Sequence, residues 1–276
     1  ACASSLYAIK LACDKLHDGT VDMALAGAVN RSDDLFIHVG FTALNAMSRS
    51  GQSRPFHAEA DGLVPAEGAG FIALKRLADA RRDGDHIYGV IRGIGLSNDG
   101  RGRGFLAPAK EGQQRALRQA YECADIRPEE VTLLECHATG TTVGDATEIH
   151  SAAELFADCK NVPIGSLKSN MGHLITAAGV AGIIKVLEAL RHQKRPLTLH
   201  TEHPNEALAN SPFRLLQATE SWDSAGPRIA GVSAFGFGGN NAHVLLQEWT
   251  GDAPAGGATP APVGGDLAVV GIGARV

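Results

Sequence analysis

Short apolar runs alternate with longer amphipathic stretches along most of this chain, and that alternation is its strongest constraint. Residues 21–29 form a nearly continuous apolar run, and residues 70–77, 87–97, 131–136, 162–167, 229–234 and 244–249 repeat the theme. Runs this short and this apolar predict strands buried on both faces of a sheet. Helical patterns lie between them. Leu6, Ile9, Cys13 and Leu16 recur at spacings of three and four within residues 3–18, and Gly19 ends the pattern. Ala116, Leu117, Ala120 and Tyr121 share one face of residues 111–124, residues 145–157 are helical, and residues 174–192 make a long apolar helix closed by Pro196. Strands and helices alternating in this way predict an α/β layered sheet. Residues 31–67 hold no regular pattern and predict a looped stretch, whose Ser- and Arg-rich part at 48–55 is a surface excursion. The charged run at 75–85 predicts a solvated connection.

With 276 residues and 44% apolar content, the chain is long enough for one substantial core. No apolar run reaches the roughly 18 to 20 residues of a membrane-spanning helix. The opening ACASSLYAIK lacks the basic flank of a signal peptide, so a cytoplasmic setting is expected. Twenty-five basic against 30 acidic side chains leave a net charge of −5, which offers no electrostatic footprint for nucleic acid or an anionic membrane. The 33 glycines predict many tight turns and close backbone approaches. The five cysteines, Cys2, Cys13, Cys123, Cys136 and Cys159, are odd in number and form no C-x-x-C pair, which argues against a disulfide framework or a cysteine zinc site. Residues 250–265 are a Pro, Gly and Ala linker. Residues 267–273 resemble the opening strand of a further α/β unit, with Gly271-Ile272-Gly273 a weak match to a dinucleotide-type turn.

Three positions carry chemistry. Cys2 precedes the first turn of a helix, where unpaired N–H groups and the helix dipole can lower a thiol pKa into the neutral range. For an arbitrary cysteine, a small buried residue is the commoner role. His137 and His173 each close a strand in this reading, and each opens onto small residues. A cysteine and two histidines at strand ends of an α/β sheet point to nucleophilic catalysis, because ligands gather in the crevice beyond those ends.

The segments ACASSL around Cys2, PFHAEADGLVPAEGAG from Pro55, ECHATGTTVGD around His137, KSNMGHLITAAGVAG around Lys168 and His173, and SAFGFGGNNAHVLL resemble the β-ketoacyl synthases of the thiolase superfamily. The resemblance is closer to the ketosynthase domains of polyketide synthases, and it runs in the family's order across residues 1–249. It implies a thiolase-like α/β/α/β/α layered fold, with 1–95 the remainder of an N-terminal half, 96–249 a C-terminal half, and 266–276 the start of a following domain. The strand leading into the family's cysteine is expected to precede Ala1, so condensing activity is expected of the intact parent. The implied activity is decarboxylative Claisen condensation. Cys2 matches the nucleophile that takes an acyl group, and His137 and His173 match the pair that assists decarboxylation of a malonyl-type extender and stabilises its enolate. Lys168 matches the lysine that organises the site. Thr139 and Thr141 match the threonines that bind phosphopantetheine, and the backbone N–H of Phe237 matches the gate and oxyanion-hole donor that works with that of Cys2. The resemblance implies no directly bound cofactor and no metal, substrates carried on the phosphopantetheine of an acyl carrier protein, and a homodimer.

Asp145 and Glu148 have two open readings, as orienters of Lys168 or as a capping pattern for the helix that follows. His200 and His203 lack a third ligand nearby and predict a loop. The chain departs from the family at Cys136, Ala138 and His57, and Gly182 stands where discrete fatty-acid condensing enzymes often carry a glutamate. Alternatives are a discrete fatty-acid synthase of this type, a non-catalytic chain-length-factor-like partner, which Cys2 disfavours, and a cysteine hydrolase, which the second histidine and the lysine disfavour.

Overall fold

Helix α1 (Ser4–His17) turns Leu6, Ile9, Cys13 and Leu16 inward, because those four side chains recur once per helical turn. It leads into strand β1 (Ala24–Asn30), helix α2 (Leu35–Ala43), strand β2 (Gly68–Arg76), helix α3 (Leu77–Asp83) and strand β3 (Gly89–Asn98). Helix α4 (Lys110–Ala124), strand β4 (Leu133–Glu135), helix α5 (Thr142–Leu155) and strand β5 (Val162–Gly165) follow. Then come the short helix α6 (Lys168–Met171), helix α7 (Ala178–His192) and strands β6 (Lys194–Arg195), β7 (Phe213–Leu215), β8 (Glu220–Ser221), β9 (Ile229–Phe235), β10 (Asn240–Gln247) and β11 (Leu267–Arg275). The computed structural model describes residues 1–32, 35–100, 107–251 and 267–275. Most of the linker expected at 250–265 lies outside the described residues.

Nine strands form one mixed sheet in the order β1-β2-β11-β3-β10-β9-β4-β5-β7, and β6 and β8 make a separate two-stranded ribbon. The β9-β4-β5-β7 side is parallel, and the other neighbours are antiparallel. Helices α1 and α7 form a layer that both halves of the sheet touch, and their core joins Leu6, Ile9 and Leu16 to Ile183, Leu187 and Val244. Helices α4 and α5 cover a second core with Leu117, Tyr121, Ile149, Phe156, Ile164 and Leu245. Each fully buried Leu, Ile or Phe of this kind contributes about 1.5–3 kcal/mol of transfer free energy. Helix α4 can lie close on β3 because Gly93 and Gly95 face it; a Cβ at Gly95 would stand 1.9 Å from the Ala116 carbonyl oxygen. A mixed sheet with helix layers packed on it is the layered α/β architecture that the sequence reading expects.

Several local expectations change. The looped stretch 31–67 contains α2, whose sequence LFIHVGFTA is too uniformly apolar to show an amphipathic period. The charged run at 75–85 contains α3, tied down by Lys75 to Asp83 at 2.7 Å and Asp85 at 2.5 Å, and by Arg76 to Asp79 at 2.5 Å. The long helix begins at Ala178, after a separate 3-10 turn at Ile175–Ala177. Gly271-Ile272-Gly273 lies inside β11 and forms no dinucleotide-type turn. Among the described residues, no helix is long and apolar enough to cross a membrane.

His243 on β10 is fully buried, stacks on Tyr121 with ring centroids 5.7 Å apart, and shares a 2.9 Å hydrogen bond with the Ser233 hydroxyl through Nδ1. Burial pushes its pKa down to about 3. The unfolded chain therefore takes up a proton near pH 6.5 that the folded chain refuses. Stability supplied by the neutral ring is present above pH 6.5 and lost as pH falls toward 3. In urea unfolding, the wild type should lose about 1.4 kcal/mol more than His243→Asn between pH 7.5 and 5.5.

Candidate active site

Cys2 lies one residue before the N-cap of α1 and is 2% exposed. What brings it to the histidines is the contact of α1 with the start of α7. The Ser5 hydroxyl accepts a 3.0 Å hydrogen bond from the Val180 N–H, and Gly179 sits so close to Leu6 that a Cβ there would stand 2.6 Å from Leu6 Cγ. With the two helix starts locked together, Cys2 Sγ lies 3.2 Å from His173 Nε2. His137 stands edge-on to His173, with ring centroids 5.3 Å apart and an interplanar angle of 77°. The sulfur and the two imidazoles border a cavity of about 460 Å³, together with Thr139, Thr141 and Phe237.

Each side chain has an identifiable anchor. His137 follows β4 directly, as the sequence reading expects. His173 does not close a strand. It follows α6 and Gly172, and an isolated bridge to Pro65 holds it: its N–H donates to the Val64 carbonyl at 2.6 Å and its carbonyl accepts from Ala66 at 3.0 Å. Its sequence position after an apolar run mimicked a strand end, and only the crossing segment at 63–66 reveals the true support. Lys168 is buried, with Nζ 3.4 Å from the Cys136 carbonyl. Its turn is fixed by Glu135, which accepts from the Leu167 N–H at 2.7 Å and pairs with Lys185 of α7 at 2.6 Å. Gly182 leaves room for this pair, since a Cβ there would meet Glu135 Cγ and Val232 Cγ1 at 3.1 Å each.

Asp145 and Glu148 do neither of the two things the sequence left open. Helix α5 begins at Thr142 with Thr141 as its N-cap, so Asp145 is inside the first turn and caps nothing as a box residue. No hydrogen bond joins either carboxylate to Lys168 among the described residues; only the field of Glu148 reaches it. Instead they gather backbone donors. The two Glu148 oxygens accept from His137 N–H and Ala138 N–H, both at 2.7 Å. Asp145 accepts from Phe56 at 2.8 Å, Thr139 at 3.0 Å and Gly140 at 3.2 Å. Phe56 has a left-handed backbone, φ 62°, which its bond to Asp145 holds in place; such a conformation costs on the order of 1–3 kcal/mol. The turn bearing His137 and Thr139 is thus built on two carboxylates. Thr139 and Thr141 share a 3.2 Å hydroxyl contact at the cavity wall.

The electrostatics are set by burial. Desolvation pushes the Cys2 thiol pKa up, with the Phe237 N–H and the Lys168 charge pulling it back only in part. A helix terminus can lower a thiol pKa, but for Cys2 burial is the largest influence and acts the other way. Burial, reinforced by Lys168, pushes both His137 and His173 well below the usual histidine range, so both rings are neutral near pH 7. Cys2 Sγ and the ring nitrogens lie within 4.8 Å of one another, a donor set that could touch a cation. The buried Lys168 charge opposes one there, so the site is suited to negative charge on oxygen.

Phe237 follows β9, and its N–H points at the Cys2 sulfur. The Phe235–Asn240 turn is clamped from the Asn98-Asp99 turn: Asn98 Nδ2 donates to the Gly238 carbonyl at 3.2 Å, and Asn241 Nδ2 donates to Asp99 Oδ1 at 2.6 Å. The Phe237 ring packs on Phe41 of α2, with centroids 5.3 Å apart. Leu44, Asn45 and Ala46, which follow α2, line the cavity, and α2 itself reaches it only through the contact of Phe41 with Phe237, a contribution the sequence reading missed. The signal available was a run of nine residues with one polar pair and no turn former except Gly40.

A buried cysteine thus faces two neutral histidines across one cavity. The β-ketoacyl synthase N-terminal domain family model matches residues 1–80, and the β-ketoacyl synthase C-terminal domain model matches residues 88–202. The chain belongs to the β-ketoacyl synthase family. It is 41% identical over 272 residues to the polyketide synthase PksN of Bacillus subtilis, covering 92% of this chain and 5% of that protein. A ketosynthase from module 6 of the bacillaene synthase of Bacillus subtilis superposes with a TM-score of 0.88 at 39% identity, covering 90% of this chain and 46% of that one. The PfaC keto synthase-chain length factor superposes with the same TM-score, 0.88, at 44% identity, covering 95% of this chain and 28% of that one. The chain thus spans less than half the length of these relatives.

Glu148→Gln puts an amide donor where two backbone N–H groups point. It should destabilise the fold by about 1–3 kcal/mol, read from the urea midpoint at constant slope.

Proposed function

We propose that this chain carries the condensing site of a polyketide synthase ketosynthase, acting within its parent synthase. The observation that carries the reading is the 3.2 Å contact of Cys2 Sγ with His173 Nε2, with His137 beside it and the Phe237 N–H at the sulfur. Cys2 Sγ attacks an acyl thioester on a carrier's phosphopantetheine arm. Its proton leaves with the carrier thiol, and the acyl group becomes a cysteine thioester. Negative charge on the carbonyl oxygen is met by the N–H groups of Cys2 and Phe237, and removal of one such donor typically costs about 3–4 kcal/mol. A malonyl-type extender then enters. His137 and His173, neutral at pH 7, donate to its thioester oxygen as carbon dioxide departs, and the enolate carbon attacks the cysteine thioester to give a β-ketoacyl product and free Cys2.

Lys168 supports this second step through its field. Its charge adds to the burial that keeps both imidazoles neutral, and it favours negative charge developing in the cavity. Thr139 and Thr141, on the cavity wall, are the groups offered to the amides of the phosphopantetheine arm. The required partner is an acyl carrier protein, the working state a homodimer, and the setting the cytoplasm. Cys2 sets the chain apart from a non-catalytic partner. Gly182, where Glu135 and Val232 already crowd the position of a Cβ, and the polyketide synthase relatives weigh against a discrete fatty-acid enzyme.

In the intact parent synthase, Cys2→Ala should abolish covalent labelling by a radiolabelled acyl thioester. His137→Ala and His173→Ala should retain acylation and lower carbon dioxide release from malonyl carrier protein by at least about 100-fold. Labelling that persists in Cys2→Ala assigns the nucleophile elsewhere.

A further inference from the structure

Glu135, the last residue of β4, is buried and stands outside the cavity that Cys2, His137 and His173 border. Its two oxygens serve different elements. Oε1 accepts from the Leu167 N–H at 2.7 Å, in the turn that leads into Lys168, and Oε2 accepts from Lys185 Nζ of α7 at 2.6 Å. The Lys185 side chain is only 10% exposed, so both charges of this pair have left water. Taking two charges out of water costs about as much as their attraction returns, so the pair adds little stability by itself. The space for it is also kept clear from α7. Gly182 lies three residues before Lys185, on the same side of the helix, and a Cβ there would stand 3.1 Å from Glu135 Cγ.

A third charge gives the pair its use. Lys168 Nζ is buried, and its hydrogen bond to the Cys136 carbonyl is long at 3.4 Å, so nearby carboxylates must hold its charge. The groups that act on it are Glu135 from β4, Glu148 from α5, Cys2 before α1 and Cys136 after β4. His137 and His173 feel its charge from the cavity side, and Lys185 stands behind Glu135. Burial works against the Lys168 charge, and Glu135 does most to restore it. Glu148 has both oxygens on the His137 and Ala138 N–H groups.

We propose that Glu135 is a positioning residue for the decarboxylation step: one oxygen fixes the turn that carries Lys168, its charge keeps the Lys168 ammonium charged, and Lys185 balances it. The inference rests on the condensing reading given above. Without Lys185, Glu135 would draw the Lys168 ammonium into a direct ion pair. Without Glu135, two buried ammonium groups would face each other across the space it leaves. The pair therefore sets how much positive charge stands behind His137 and His173 when negative charge appears on the extender.

The test is the pH dependence of carbon dioxide release from malonyl carrier protein by the intact parent synthase, with acyl labelling of Cys2 followed in parallel. Release should fall at alkaline pH as Lys168 loses its proton. Glu135→Gln keeps an oxygen for the Leu167 N–H and removes the charge. It should move that fall to lower pH by about one unit or more while labelling persists. Lys185→Met should move it to higher pH. The double variant removes both charges and should return the fall close to its wild-type position. A pair that only braces the fold cannot give that recovery, since the double variant would be at least as impaired as the worse single one. If Glu135→Gln takes no label, Lys185→Met decides alone. An unmoved alkaline fall in labelled Lys185→Met, or a double variant that stays with labelled Glu135→Gln, overturns this inference alone. A wild-type parent that takes no label at Cys2 overturns the condensing reading and this inference with it.

Discussion

The site depends on one helix contact. Cys2 meets His173 because α1 meets the start of α7, where the Ser5 hydroxyl accepts from the Val180 N–H and the absence of a side chain at Gly179 admits Leu6. Residues 171 positions apart in sequence thereby come within a hydrogen bond of each other. The large buried core around Leu6, Ile9, Ile183 and Leu187 makes that meeting rigid. Close-packed interiors transmit small displacements, so the separation of sulfur and imidazole is a property of the whole α1–α7 layer.

Around that contact, the chain spends its buried charges on backbone rather than on substrate. Asp145 and Glu148 gather five N–H groups, those of Phe56, His137, Ala138, Thr139 and Gly140. Glu135 holds the Lys168 turn and pairs with Lys185. The groups that face the cavity are then free to be neutral or partly polar: a thiol raised by burial, two imidazoles lowered by burial and by Lys168, and the hydroxyls of two threonines. This division of labour suits a reaction in which charge appears transiently on oxygen. A site lined with permanent charge would bind the ground state as tightly as the transition state and gain no rate.

The sheet shows why the two halves of the chain are comparable and yet unlike. The triple β11-β2-β1 matches β3-β10-β9 about a local twofold axis, down to the position of the irregularity in each inner strand. The helices on the two sides break the symmetry, because α1 brings a cysteine to the centre while the matching approach to α7 brings a histidine. A symmetric frame with different residues at equivalent positions is how a cysteine and a histidine come to share one cavity.

The sequence by itself determined the alternation of strands and helices, the inward face of α1 and the position of His137 at a strand end, because each is written in local periodicity or in a short motif. Through the family motifs it also pointed to Thr139, Thr141 and Phe237, which line the same cavity as Cys2 and the two histidines. Tertiary structure alone decided the rest. Helix α2 had no amphipathic signal, yet it supplies Phe41 to the gate. His173 looked like a strand end and is held by a bridge to Pro65 from a distant segment. Asp145 and Glu148 matched a local capping pattern, but their partners come partly from Phe56, 89 residues away from Asp145. The thiol's pKa turned on burial, which no local pattern reports. Each of these depends on contacts between residues remote in sequence, and such contacts exist only once the layers have packed.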